Sequence, residues 1–208
     1  MSPPPAAGPR QFFEELLPGQ WNEALREQQR AAEAAQRLLE GMQGVHATLG
    51  VEIRGEGGGQ FYLNVSAGRL TAGETASHPP FLSLHLDRPD FDRFVAEIGD
   101  SALGFLGALS GLGQELRLTR PRVELLSGLE GSIRFDLKGE GGFTLLTCFG
   151  PKPPPETPTT SITVERDAYR ALRAGELNPQ DAFLSGQIQV EGDMQLAMQL
   201  ALAALAPD

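Results

Sequence analysis

The chain holds one cysteine, Cys148, in 208 residues. A lone thiol excludes an internal disulfide framework and any zinc site built on several cysteines. There is no excess of positive charge either. Seventeen basic side chains stand against 27 acidic ones, for a net charge of −10. Such a chain has no general attraction for phosphate backbones or anionic lipid surfaces, which argues against nucleic acid as a partner. No run approaches the roughly 18 uninterrupted apolar residues of a membrane span. The opening, MSPPPAAGPR, lacks the basic start and apolar run of a secretory signal. Residues 1–11 therefore read as a short disordered tail, and the protein as cytoplasmic.

Catalytic motifs are also missing. The glycine runs at 55–59 (GEGGG) and 139–142 (GEGG) lack the Lys-Ser/Thr and the helix start of a phosphate loop, so they read as hairpin turns. No Gly-x-Ser-x-Gly occurs: Ser110 and Ser185 each precede a glycine but follow none two positions earlier. The histidines His46, His78 and His85 have no acidic ligand cluster beside them, and His85 falls on the outward phase of its strand. Cys148 has no activating base nearby in sequence and reads as a buried, inert thiol. No catalytic residue, metal or cofactor is expected.

What is present is core material. Hydrophobic residues make up 40% of the chain and charged ones 21%, a balance typical of a folded globule. After the segment FFEELL and a break at Pro18-Gly19, apolar or small residues recur from Trp21 to Met42 at spacings of three and four. This predicts one long amphipathic helix. It reads as a scaffold helix covering a sheet, with a partner-binding helix as the sharper alternative. The period then changes to two. Strands are predicted over Val45–Arg54, Gln60–Ser66, Gly68–Glu74 and Phe81–Leu86, followed by a helix that Asp87 and Pro89 start and Gly99 stops. Leu116–Leu118 and Val123–Leu126 also read as strands.

The second half repeats this order: strand 131–138, glycine turn, strand 143–149, strand 160–164, and a short helix with Tyr169 and Leu172 inward, stopped by Gly175. Gly-Glu-Gly-Gly recurs at an offset of 84 residues and Leu86-Asp87-Arg88 pairs with Val164-Glu165-Arg166 at an offset of 78. The proline-rich loop 151–158 absorbs the difference. We read an internal duplication, with units at 12–118 and 119–208 that either stand apart or form one composite globule.

Residues 160–202 resemble the C-terminal half of the sterol carrier protein 2 family, the nonspecific lipid-transfer proteins. The resemblance rests on Ile162–Glu165, Tyr169, Gly175, Asn178-Pro179, Ala182-Phe183, Ser185-Gly186, Ile188–Val190, Gly192-Asp193-Met194 and the apolar helix from Leu196 to Leu205. It is strongest over 131–205, with a weaker, degenerate copy over 12–118. The second unit departs from the family in having no helix before its first strand. Its proline loop replaces the family's third strand. The resemblance implies an α+β fold, with a mixed, mostly antiparallel sheet covered by helices. It also implies a non-catalytic protein holding a sterol, fatty-acyl chain or other lipid between sheet and C-terminal helix. The expected wall residues are Phe135, Phe143, Ile162, Tyr169, Phe183, Met194, Met198 and Leu202, about half of them ordinary core.

The last helix has its own physical argument. Met194, Ala197, Met198, Ala201 and Leu205 form one stripe, and Leu196, Leu200 and Ala203 another. A helix apolar on two faces must bury both. One faces the sheet, and the other needs a ligand, a partner or more protein. Adaptable methionines suit a variable ligand. The alternatives are a scaffold or interaction protein with a filled core, or an accessory subunit of a lipid-metabolising enzyme. The apolar segment 101–113 (SALGFLGALSGLG) reads as a small-residue helix between the units, or else as a lid.

Overall fold

The computed structural model describes residues 8–99, 118–174 and 176–205. These residues fall into two compact units, one reaching Glu40 and the other starting at Gly41. The segment 101–113, the stop at Gly175 and residues 116–117 lie outside the described residues.

The first unit is helical. α1 (Pro9–Gln11) begins inside the stretch read as a tail, and α2 (Leu17–Gln43) follows. Pro18-Gly19 does not break the helix. Phe12–Leu16 instead adopts π geometry, in which the Leu17 N–H reaches back five residues to the Phe12 carbonyl. A proline has no N–H and its ring crowds the carbonyl four residues earlier, and a wider turn relieves that clash without ending the helix. The predicted apolar stripe is present but exposed: no residue of α2 is buried, and Trp21 is 73% exposed.

The second unit is built on one eight-stranded sheet. Its strands are β1 (His46–Arg54), β2 (Gly59–Ser66), β3 (Arg69–Gly73), β4 (Leu82–Asp87), β5 (Gly131–Lys138), β6 (Thr144–Phe149), β7 (Thr160–Glu165) and β8 (Ile188–Gly192). Their order is β3-β2-β1-β4-β6-β5-β7-β8. β1–β4 and β5–β7 run parallel, and the other neighbours are antiparallel. The helices among its described residues are α3 (Arg88–Ile98), α4 (Arg120–Ser127), α5 (Arg166–Ala174), α6 (Pro179–Leu184) and α7 (Met194–Leu205). This is the expected α+β architecture with a mixed, mostly antiparallel sheet.

Residues directly opposite across strands share a face. Leu49, Leu82 and Phe149 therefore line up, as do Val51 with Leu84 and Ile53 with Leu86. On the other side Ile133, Phe135 and Leu137 on β5 continue the same face beside Ile162 and Val164 on β7. This apolar face carries the core, with Leu84 and Phe94 at 0% exposure.

The two halves of the sheet carry the same local geometry at the spacings noted in the sequence. Gly55 and Gly57 have φ of +109° and +68°, and Gly139 and Gly141 have +95° and +73°. In each turn the fourth residue donates back to the first at 3.0 Å, Gly58 to Gly55 and Gly142 to Gly139. The following helix also reaches back to each turn, though to different positions: Arg88 Nη1 donates to the carbonyl of the third turn residue, Gly57, at 3.0 Å, and Arg166 Nη1 to that of the second, Glu140. β4 and β6 join the halves antiparallel, from Leu82 opposite Phe149 to His85 opposite Leu146. β6 thus pairs with β4 where a third strand of its own half would lie, so the proline loop costs the sheet no pairing.

Two sequence expectations fail in the stretch before β5. Val123–Leu126 is not a strand but part of α4, so the second half does have a helix ahead of its first strand. Pro121 sits in the first turn of α4, where its missing N–H costs nothing. The buried residues are Arg122 and Leu126, four apart on one helical face. Alternation was the wrong period for this stretch.

Candidate functional site

α3 and α5 are locked together by one carboxylate. The Glu97 side chain is only 3% exposed. It accepts from Arg166 Nη2 at 2.6 Å and from Arg170 Nε at 3.0 Å, and Arg173 Nη1 donates to the Glu97 carbonyl at 3.1 Å. Burial pushes the Glu97 pKa up, but hydrogen bonds and charge from Arg170 and Arg166 outweigh it and hold the carboxyl below its ordinary value. Arg166, Arg170 and Arg173 recur at four and three on a short helix, a basic stripe that needs an acidic partner.

The clamp fixes α5 over an aromatic cluster. The Phe135 ring centre lies 6.0 Å from that of Phe143 and 6.1 Å from that of Tyr169, and Phe94 meets Phe143 edge-on at 5.2 Å. Ile162 lies opposite Phe135 on β7. Four of the eight wall candidates are therefore interior: Phe143 and Tyr169 are buried, and Phe135 and Ile162 half-buried against the core. The Tyr169 hydroxyl is buried without a hydrogen-bond partner. Its pKa is raised, first by burial and then by Glu97, with Arg173 opposing. An unsatisfied buried donor costs about 1–3 kcal/mol.

The other four candidates are exposed, Phe183 on α6 and Met194, Met198 and Leu202 on α7. Asn178 begins α6, its Oδ1 accepting from Gln180 N at 2.8 Å. Asp193 begins α7 in the same way, accepting from Gln195 N at 2.8 Å and Leu196 N at 3.3 Å. Gly192 is required before it. Its φ is +92°, and a Cβ there would lie 2.3 Å from the Thr159 carbonyl oxygen. These caps fix the rotation of α7. Leu196 and Ala203 turn inward at 3% exposure, and Arg122 Nε on α4 donates to the Ala203 carbonyl at 3.4 Å. The outer stripe stays open, with Met198 59% and Leu202 65% exposed and Met194 exposed as well. Phe183 and Leu184 on α6 are also exposed. Met194 and Met198 are thus not enclosed by the described residues. Leu184 was missed because sequence alone did not fix which side of α6 faces outward.

On the opposite face of the sheet His85 corrects the sequence reading. It is buried, with Nε2 2.9 Å from Ser83 Oγ and Nδ1 3.0 Å from Glu52 Oε2. The connectivity Ser–His–carboxylate is that of a nucleophile relay. However, β4 is paired on both sides, by β1 and β6. Its N–H groups belong to the ladder and do not converge on an oxyanion beside Ser83. The three side chains satisfy one another on a sheet surface. Among the described residues no cluster of three or more His, Cys, Asp or Glu is placed to hold a metal. No helix described is long and apolar enough to cross a membrane. Cys148 is buried, as expected, and burial pushes its thiol pKa up to about 11.

Comparison with known proteins bears on the same region. Residues 115–204 match the SCP-2 sterol transfer family. A stretch of 48 residues is 42% identical to rat sterol carrier protein 2, covering 23% of this chain and 9% of that protein. The matched stretch is thus under a tenth of that relative's length. Among solved structures, apo sterol carrier protein 2 from Yarrowia lipolytica aligns with 20% identity over 51% of this chain and 91% of that one, at a TM-score of 0.31. Sterol carrier protein 2 like 2 from Aedes aegypti aligns with 20% identity over 39% and 87%, at 0.30. Residues 115–204 form an SCP-2 sterol transfer family domain.

Proposed function

Taking residues 115–204 as an SCP-2 sterol transfer family domain, we propose that this protein binds an apolar ligand, a sterol or fatty-acyl chain, without transforming it. The observation that carries the reading is the open stripe Met194–Met198–Leu202 with Phe183 and Leu184 nearby in the chain, in a domain whose family transfers sterols. Water-exposed apolar side chains of this size are where a lipid gains most. Burial yields about 25 cal/mol per Å², and methionines adapt to ligands of different shape. The ligand lies against α7 and α6, and a ligand that also reached the interior would meet the buried Tyr169 hydroxyl. The matching geometry of the two half-sheets supports reading the chain as a fused duplication with one such ligand surface.

Displacement of a fluorescent fatty acid, with native mass spectrometry of the purified protein, tests this. Saturable displacement is expected. Replacing both Met198 and Leu202 with Gln should weaken binding at least tenfold, since burying each side chain is worth about 1.5–3 kcal/mol. The unfolding midpoint should barely move, because neither residue is buried. Absence of saturable binding would refute the proposal and leave the filled-core scaffold. Tyr169→Phe separates surface from interior. It removes an unsatisfied hydroxyl, so the free protein should be as stable or up to about 1 kcal/mol more stable, while affinity for a ligand that uses the hydroxyl falls.

A further inference from the structure

The helix of the first unit carries a second pattern that the ligand surface does not use. Leu17, Trp21, Ala24, Gln28, Ala31, Ala35 and Leu38 follow one another at alternating steps of four and three. That is a heptad seam, with Trp21, Gln28 and Ala35 at a and Leu17, Ala24, Ala31 and Leu38 at d. The b, c and f positions from Asn22 to Glu40 are all polar: Asn, Gln, Gln; Glu, Arg, Arg; Arg, Glu, Glu. α2 has 27 residues and so runs about 40 Å, and none of its seam is buried. Helices of such length gain little from propensity alone, and most of their stability comes from packing an apolar face.

We propose that the occupant of this seam is the same helix of a second copy of the chain, packed antiparallel. Two features of the sequence choose the partner and the direction. The first is size. Antiparallel pairing about the midpoint sets Trp21 against Leu38, Ala24 against Ala35 and Gln28 against Ala31, so large meets large at the ends and small residues let the backbones approach in the middle. Parallel pairing would force Trp21 onto Trp21 and bury Gln28 against Gln28. The second feature is charge. Along the g and c flank the order is Glu23, Glu27, Arg30, Ala34, Arg37. In the antiparallel pair Glu27 faces Ala34 of the second copy and lies between that copy's Arg30 and Arg37, twice by symmetry. In the parallel pair the g and e neighbours are Gln20 with Leu25, Glu27 with Ala32 and Ala34 with Leu39, which supply no ion pair. Within one helix Glu23 is held by Arg26 at 2.5 Å and pairs more loosely with Arg30 at 3.9 Å.

The full chain supplies its own probe, because Trp21 is its sole tryptophan. Sedimentation equilibrium from about 1 to about 100 µM should show a monomer–dimer equilibrium. Trp21 emission should shift to the blue over the same range. Glu27→Arg should weaken the dimer at least tenfold by setting arginine against arginine. It removes the Glu23–Glu27 repulsion within the helix, so helix content by circular dichroism should hold or rise. Adding Arg30→Glu to that variant should restore the dimer. Direction is read by oxidation: Ala24→Cys mixed with Ala35→Cys should form a mixed disulfide, and Ala24→Cys alone should not. A monomer throughout the range overturns the proposal. So does a disulfide of Ala24→Cys with itself, which reports parallel pairing. Binding of a monomer to neutral phosphatidylcholine vesicles with a blue-shifted Trp21 also overturns it and assigns the seam to a membrane surface.

Discussion

Gly142→Ala will destabilise the protein by about 3 kcal/mol or more, at the far end of what single substitutions do. A Cβ at Gly142 would lie 2.2 Å from the Leu137 carbonyl oxygen, and one at Gly58 would lie 2.0 Å from that of Ile53. Both blocking atoms are backbone and cannot swing aside. Each carbonyl belongs to the strand that leads into its turn, so relief means prising the hairpin open at its base. Gly58→Ala should therefore cost a similar amount. Gly73, at the end of β3, is the control: nothing lies within 4 Å of its added Cβ and its backbone is ordinary. Alanine there should stay within about 0.5 kcal/mol of wild type. Urea titrations of the three variants decide the matter, and a Gly142→Ala midpoint equal to that of Gly73→Ala would refute the account.

Glu97→Gln should cost about 1–3 kcal/mol at neutral pH, because an amide cannot replace a carboxylate that two arginines share. The lower half of that range is the better expectation, since the arginine ends of the pairs are partly solvated and screened. The loss must also depend on pH. The folded-state pKa of Glu97 is depressed. Its contribution is therefore fully present above the unfolded carboxylate pKa, about 4.3, and fades as pH falls through the lower folded value. The stability gap between wild type and Glu97→Gln should be flat from about pH 5 to 8 and close below about pH 4. A gap that stays constant into acid would show that the carboxylate charge contributes nothing to holding α3 on α5.

Much of this fold was legible because strand alternation and glycine turns are local signals. β1, β2, β4 and the α3 start at Asp87-Pro89 follow from periods of two and 3.6 and from punctuation residues alone. What failed was non-local. His85 sits on the outward phase of β4, yet it is buried and bonded to Glu52 opposite it on β1, and no local pattern reports which polar residue lies opposite. Pro18 was read as a stop because the cost of proline in a helix is local, whereas its relief lies in the π turn before it. The wall candidates split for a similar reason. Composition marked α7 as apolar on two faces, but only the Asp193 cap and the Arg122–Ala203 bond fix which face turns in. That rotation leaves Met194, Met198 and Leu202 exposed.

The β4–β6 seam has a consequence for anyone who divides the chain. Four residue pairs, Leu82–His85 against Leu146–Phe149, make one sheet out of two half-sheets. A fragment carrying β5–β8 alone would keep the β5–β6 pairing but leave the other edge of β6 unpaired, and a fragment carrying β1–β4 would leave one edge of β4 unpaired likewise. Raw strands of this kind recruit one another. Each piece expressed alone should therefore precipitate or self-associate, and mixing the two should recover soluble protein. In this chain, each half-sheet covers an edge that the other would leave bare.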